Sequence, residues 1–118
     1  MDINHIQETL QKFSTDREWS ELHNPKNLVM ALSGEVGELN EIFQWLTEEQ
    51  SKVLSTNIKA HASDEIADIA IYLINLCMKL DINLEDAILQ KMKKNELKYP
   101  ASKFKGSTLP YEDKVTNQ

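Results

Sequence analysis

Two pairs of acidic residues lie inside the apolar stripes of two predicted helices. Glu35 and Glu38 are three apart in the stretch GEVGELNEIFQW, and Glu65 and Asp68 repeat this spacing in SDEIADIAIYLINLCMKL. Residues three and four apart share one face of a helix, so each pair points toward the side that the apolar residues would bury. An ionised carboxylate is costly to bury unless it is paired or binds a cation. The two pairs therefore restrict the fold more than any other feature of the sequence.

The simplest arrangement that satisfies both pairs is two facing helices with four carboxylates around a divalent cation. Carboxylate oxygens suit Mg²⁺ and Mn²⁺, whereas Zn²⁺ prefers His and Cys. We therefore predict that Glu35, Glu38, Glu65 and Asp68 bind Mg²⁺, with Mn²⁺ as the alternative metal. The competing interpretation is that these acids line solvated helix faces, and it fits Asp68 better than Glu35 or Glu65.

Composition and charge limit the remaining classes of protein. A chain of 118 residues fits one domain, and only three Gly and three Pro favour an all-α fold. The net charge of −6 argues against a nucleic-acid polymer as partner. The single cysteine, Cys77, excludes an internal disulfide framework. There is no apolar run long enough to span a membrane and no signal-peptide pattern, so we expect a cytoplasmic protein without membrane contact.

Apolar periodicity at spacings of three and four predicts four main helices. They span residues 3 to about 20, 24 to about 46, 56 to about 80, and 84 to 98. The pair Asn24-Pro25 is a helix-start signal, and Asn83 with Asp86 resembles a capping box. Residues 47–57 form a connection that has room for a short helical turn. We expect a helical domain over residues 1–100 and a mobile tail over 101–118.

The third predicted helix is apolar nearly all round between Ile66 and Met78. A helix of that kind is buried on most of its sides. A single chain of this length can hardly cover it, so we predict a homo-oligomer.

Flat and cationic side chains near the acids indicate that a nucleotide binds. The flat side chains can stack on a base or bond its edge. They are Trp19, His23, Trp45 and Tyr72. One stripe of the fourth predicted helix can contact phosphate, for which lysine is a common ligand. This stripe consists of Lys91, Asn95 and Lys98. Metal, phosphate contacts and an aromatic slot together indicate a nucleoside triphosphate site, while core tryptophans and a solvated lysine face remain alternatives.

The order E-x-x-E, a gap and E-x-x-D resembles the signature of the all-α nucleoside triphosphate pyrophosphohydrolases, the MazG-like superfamily. The stretches HNPKNLVMALSGEVGELNEIFQW, DEIADIAIYLINL and KMKKNELKYP are similar to its dCTP pyrophosphatase branch. The resemblance covers about residues 10 to 100. It implies a four-helix-bundle-like MazG-type fold, assembled as a tetramer (a dimer of dimers) with sites shared between subunits. It also implies Mg²⁺-dependent hydrolysis of dCTP or a related dNTP to the monophosphate and pyrophosphate, as nucleotide-pool house-cleaning.

The resemblance also implies a role for each site residue. The positions that match the metal ligands are Glu35, Glu38, Glu65 and Asp68, with Glu38 as the base toward water. The positions that match the base and sugar pocket are Trp19, His23, Trp45 and Tyr72. The positions that match the phosphate-side contacts are Lys91, Asn95, Lys98 and Tyr99. The loop 47–57 is not similar to the branch, which leaves the preferred base open.

Three other functions remain as alternatives. A di-iron carboxylate bundle would need Glu-x-x-His motifs, and neither acidic pair has a His three residues on. His61 precedes Glu65 by four residues, which is the wrong spacing for that motif. A non-catalytic, nucleotide-sensing helical oligomer could keep the same residues. A member of the same superfamily could also act on another substrate, such as dUTP or a phosphoribosyl nucleotide.

Overall fold

The structure, a computed structural model, describes residues 1–106, and every regular element in this range is a helix. The elements are α1 (Ile3–Asp16), α2 (Pro25–Phe43), α3 (Glu48–Lys52), α4 (Thr56–Lys79), α5 (Leu84–Lys98) and α6 (Ala101–Phe104). The predicted all-α class is confirmed. The last three predicted main helices correspond to α2, α4 and α5. Each of these helices begins and ends within three residues of its predicted bounds.

The chain forms two compact units. The first unit, Met1–Ile82, contains α1 to α4, and the second begins at Asn83 and contains α5 and α6. Within the first unit, α2 and α1 both pack against α4. The predicted boundary after residue 100 stays a prediction, because residues 107–118 lie outside the described part of the chain. Within the described part, the predicted tail begins with the short helix α6.

Side-chain caps fix the starts of α2 and α5 where the sequence predicted them. Asn24 Oδ1 accepts a hydrogen bond from the backbone N–H of Asn27 at 3.0 Å, and Pro25 occupies the first helical position. Asn83 Oδ1 accepts from the N–H of Asp86, also at 3.0 Å. Each cap satisfies a backbone donor that the first turn of a helix leaves unpaired.

The short helix α3 has a cap that the sequence analysis did not identify. Thr47 Oγ1 accepts from the N–H of Gln50 at 3.1 Å, and Gln50 Oε1 accepts from the N–H of Thr47 at 2.9 Å. This reciprocal pair is a capping box, which needs a Ser or Thr followed three residues later by Glu or Gln. Residues 47–52 therefore form a capped helical turn, and residues 53–55 connect it to α4.

The helix α1 ends at Asp16, about four residues before the predicted end. The N–H of Trp19 donates to the carbonyl of Ser14 at 2.9 Å, and the N–H of Glu18 donates to Thr15 at 3.1 Å. This is the Schellman pattern, and Glu18 takes its left-handed position with a φ of 55°. Glycine is the usual signal for that position, and here the sequence has none. The early stop turns the chain so that Trp19 packs edge-on against Phe13, with ring centroids 5.8 Å apart.

The core of the first unit lies between α2 and α4. Its most buried apolar side chains are Leu28, Ala62, Ile74 and Cys77. Burial raises the pKa of the Cys77 thiol, as expected for a small core residue. In the single chain, α4 is not covered all round: Ile66 is 55% exposed and Leu73 is 37% exposed. No helix in the described part of the chain is both long and apolar enough to cross a membrane.

Candidate functional site

The packing of α2 on α4 brings three of the predicted metal ligands together. One carboxylate oxygen from each of Glu35, Glu38 and Glu65 lies within 4.8 Å of the other two. Asp68, the fourth predicted ligand, is not part of this group. We call the three residues the carboxylate cluster.

The inner side of the carboxylate cluster has unpaired buried oxygens. Glu65 is only 8% exposed. Its Oε2 and the Oε2 of Glu35 are buried without a hydrogen-bond partner in the described part of the chain. Contact with the Glu35 carboxyl, together with burial and the nearby Glu38, raises the pKa of Glu65 to about 7. Three close carboxyls of this kind have the oxygen donors that a hard divalent cation takes, and a cation would satisfy both unpaired oxygens.

An open cavity of about 560 Å³ adjoins the outer side of the carboxylate cluster. Glu38 lines it with Glu41 and His61. The His61 Nε2 lies 3.6 Å from Oε1 of Glu65, and the imidazole is 63% exposed. The outer cluster member Glu38 therefore faces a space that water can enter.

A second cavity, of about 380 Å³, joins the acids to the flat side chains. We call it the aromatic cavity. The predicted site residues that line it are Trp19, His23, Glu35, Asp68 and Tyr72. Asp68 thus shares this cavity with Glu35, although it does not join the carboxylate cluster. The structure brings five predicted site residues, from two of the predicted groups, around one space in the first unit.

Contacts with neighbours fix the flat side chains at the α1 end of the aromatic cavity. The Trp19 ring packs edge-on against the His23 ring, with centroids 6.2 Å apart. The His23 Nδ1 is hydrogen-bonded to Oγ of Ser14 at 3.1 Å. Ser14 is itself buried. The turn after α1 therefore holds His23 in one orientation at the wall of the cavity.

The remaining predicted site residues lie elsewhere. Trp45 is in the turn after α2, where it is 85% exposed and does not line the aromatic cavity. The predicted phosphate-side residues lie on α5 and at its end, in the second unit. They are Lys91, Asn95, Lys98 and Tyr99, and the Lys98 Nζ lies 5.5 Å from the centroid of the Tyr99 ring. The predicted roles of Trp45 and of these four residues stay predictions.

Two buried polar residues of the aromatic cavity are not among the predicted site residues. Ser14 and Asn75 are buried polar residues, 8% and 7% exposed, and both line the aromatic cavity. A signal for Asn75 was present, because it extends the polar spacing of Glu65, Asp68 and Tyr72 along an otherwise apolar helix. Ser14 carries no such signal, since a serine near a helix end is usually solvated.

Comparisons with known proteins show which family this chain is similar to. Residues 30–113 match the MazG-like family. The chain is 39% identical to dCTP pyrophosphatase 1 of Bos taurus over 104 residues, which are 86% of this chain and 62% of that protein. It is 38% identical to dCTP pyrophosphatase 1 of Homo sapiens over 102 residues, 85% of this chain and 60% of that protein. The chain thus spans about three fifths of the length of these curated relatives.

A solved structure is also similar. The crystal structure of a pyrophosphatase from Archaeoglobus fulgidus aligns with a TM-score of 0.76 and 38% sequence identity. The alignment covers 85% of this chain and 94% of that one. The all-α arrangement described above is therefore also found in an experimentally determined pyrophosphatase.

Proposed function

This chain belongs to the MazG-like family, and we propose that it hydrolyses a nucleoside triphosphate, dCTP or a related dNTP, to the monophosphate and pyrophosphate. The observation that carries the proposal is the carboxylate cluster next to the aromatic cavity. Glu35 belongs to the cluster and also lines the cavity. A nucleotide in this cavity would place its base among flat side chains and its phosphates near the acids. The curated relatives are named dCTP pyrophosphatase 1, which supports a cytosine deoxynucleotide as substrate.

We propose that the carboxylate cluster holds Mg²⁺, with Mn²⁺ as the alternative. The unpaired buried oxygens of Glu35 and Glu65 support this proposal, because oxygen ligands suit both ions. Asp68 would complete the set from the aromatic cavity. When bound, the cation would neutralise charge on the phosphate oxygens during transfer.

The outer cluster member, Glu38, is the proposed base. It is exposed and lines the open cavity, so water can reach its carboxylate. A base within hydrogen-bond reach of that water would take its proton as the oxygen attacks phosphorus. The side chains proposed to hold the base and sugar are Trp19, His23, Trp45 and Tyr72. Those proposed to contact the phosphates are Lys91, Asn95, Lys98 and Tyr99.

Exposed apolar side chains support assembly as a homo-oligomer, which we propose to be a tetramer built as a dimer of dimers. On α2, Val29 and Met30 are 49% and 63% exposed, and on α4 Ile66 is 55% exposed. Burial of such side chains at an interface is favourable. The proposed setting is the cytoplasm, where hydrolysis would cleanse the nucleotide pool, and neither a nucleic-acid polymer nor a membrane takes part.

A turnover panel tests the proposed function. Purified protein is incubated with each common dNTP and NTP and Mg²⁺, and the products are resolved by ion-exchange chromatography. We expect monophosphate and pyrophosphate, formed fastest from dCTP. Glu38→Gln should lower turnover about 10²- to 10⁴-fold, the range for losing a general base. Glu41→Gln is the matched control, because Glu41 is an exposed acid on α2 that lines the same open cavity.

Two other outcomes would change the proposal in different ways. Turnover of dUTP in preference to dCTP would keep the reaction and replace the substrate. No turnover of any nucleotide, with nucleotide binding retained, would overturn the reaction and favour the nucleotide-sensing module. Near-normal turnover by Glu38→Gln would show that Glu38 is not the base.

A further inference from the structure

A polar stripe runs along α4, the helix that carries half of the predicted metal ligands. Its members are Glu65, Asp68, Tyr72, Asn75 and Lys79, at alternating spacings of three and four. These spacings keep side chains on one face of a helix. Asp68, Tyr72 and Asn75 all line the aromatic cavity. Asn75 and Lys79 also line a smaller neighbouring cavity of about 180 Å³, which contains Ser14 and His23 in its wall.

Asn75 lies where the two cavities meet. It is 7% exposed and lines both of them. Its amide makes no hydrogen bond to another residue in the described part of the chain. Its polar atoms are not among the fully buried ones of the described residues, so the amide faces the open space of the two cavities. A side-chain amide that faces a cavity and has no partner in the protein can bind a ligand group that enters the cavity.

The position of Asn75 along α4 indicates which part of a nucleotide it would meet. Asp68 and Asn75 are seven residues apart, which is about 10 Å along a helix axis. This length is comparable with the separation of phosphate and base in a nucleotide. With the phosphates near Asp68 and the carboxylate cluster, the ring of Tyr72 lies at the middle of this span and the amide of Asn75 at its far end.

We propose that Asn75 is a substrate-binding residue that contacts the hydrogen-bonding edge of the base in the proposed dCTP substrate. An Asn amide offers both a donor and an acceptor. Cytosine presents the complementary pair at N3 and its 4-amino group, and uracil presents one at N3–H and O4. His23, fixed by Ser14, lines both cavities beside Asn75. This inference rests on the proposed function for the orientation of the nucleotide.

The test uses Asn75→Leu, which removes donor and acceptor at similar volume. Binding of dCMP and of deoxyribose 5-phosphate, which lacks a base, is measured by calorimetry with Mg²⁺ present. We expect dCMP to bind about tenfold more weakly, the usual consequence of leaving a base edge unpaired, and deoxyribose 5-phosphate to bind unchanged. With dCTP, KM should rise by a similar factor while kcat changes less than about twofold. Asn57→Leu, exposed in the first turn of α4 and outside both cavities, is the control.

Far-UV circular dichroism and Tm show whether each variant folds, and Asn75→Ser replaces Asn75→Leu if the latter does not. Unchanged dCMP affinity, or an equal loss for deoxyribose 5-phosphate, would overturn the inference. So would wild-type protein that binds both ligands equally well. Turnover of dCTP combined with an unchanged dCMP affinity in Asn75→Leu leaves the proposed function intact and rejects Asn75. If Asn75→Leu loses dCMP affinity as expected but the wild type turns over no nucleotide, the proposed function is rejected and the role of Asn75 in binding the base stands.

Discussion

The two acidic pairs have the same spacing, yet their members meet different surroundings. Glu65 is buried and Glu35 has a buried, unpaired oxygen, whereas Glu38 is exposed to the open cavity and Asp68 faces the aromatic cavity. The difference arises because residues three apart are offset by about 60° around a helix. The α2–α4 interface covers one member of each pair more than the other. The inner members suit holding a cation, and the outer members suit contact with substrate and water.

The largest effect should come from substituting a buried member of the acidic pairs, and it should appear in the affinity for the metal. Glu65→Gln removes a buried ligand. The affinity of this variant for Mn²⁺, measured by electron paramagnetic resonance, should be more than about 100-fold lower than that of the wild type. Changes in the partners that merely orient ligands already cost about 10- to 100-fold. Glu38→Gln should lose less affinity, because its side chain is exposed and water can replace it. Equal losses in the two variants would show that inner and outer carboxylates do not differ in holding the metal.

A smaller effect, on KM for dCTP, should distinguish Tyr72 from Trp45. Tyr72 lines the aromatic cavity, whereas Trp45 is exposed. Tyr72→Ala should raise KM for dCTP about tenfold or more with little change in kcat, since stacking on a base contributes about 1–3 kcal/mol. Tyr72→Phe, which keeps the ring, is its control. If Trp45 acts only within its own chain, Trp45→Ala should leave KM unchanged.

The two results on aromatic residues sharpen the comparison in different ways. A rise in KM with Trp45→Ala would indicate that Trp45 reaches the cavity of a second subunit, which fits the expectation of sites shared between subunits. Lost turnover at saturating dCTP in Tyr72→Ala, with binding retained, would contradict the placement of Tyr72 against the base. The oligomeric state of each variant, from light scattering, shows whether assembly has changed.

The proximity of Glu35 and Glu65 could be predicted from the sequence because helix periodicity carries that information. Glu35 and Glu65 interrupt apolar stripes, so their burial and proximity follow from two helices packing by those stripes. The start of α2 likewise has a local cause in the sequence, which is the helix-start pair Asn24-Pro25. The end of α1 has no such cue, because its left-handed residue is Glu18 and not glycine.

Other features depend on packing that no local pattern describes. Trp45 has an aromatic side chain beside the carboxylate motif, yet three residues of turn place it in solvent. Asn75 continues the polar spacing of α4, but the sequence does not show that this residue is buried where two cavities meet. The stripe on α5 lies in a separate unit, so helix periodicity alone cannot bring Lys91 to a phosphate.

The smallest effect concerns the stability of the metal-free protein. In the folded state the pKa of Glu65 is raised from 4.5 to about 7, first by contact with Glu35 and then by burial and Glu38. Between these values the folded protein holds more protons than the unfolded chain, so the free energy of unfolding falls as pH rises. In EDTA, Tm should therefore decrease from about pH 5 to about pH 8.

Glu65→Gln isolates this contribution, because the amide stays neutral throughout. The difference in Tm between wild type and Glu65→Gln, measured by calorimetry at constant ionic strength, should change with pH in that window and become flat above it. His61 lies beside Glu65 and is present in both proteins, so subtracting the two curves removes most of its influence. Mg²⁺ competes with the proton for the same oxygens, and its stabilising effect on the wild type should grow as pH rises. A pH-independent difference between the two proteins would mean that Glu65 is ionised in the folded state without a cation, and that inner and outer carboxylates differ only in exposure.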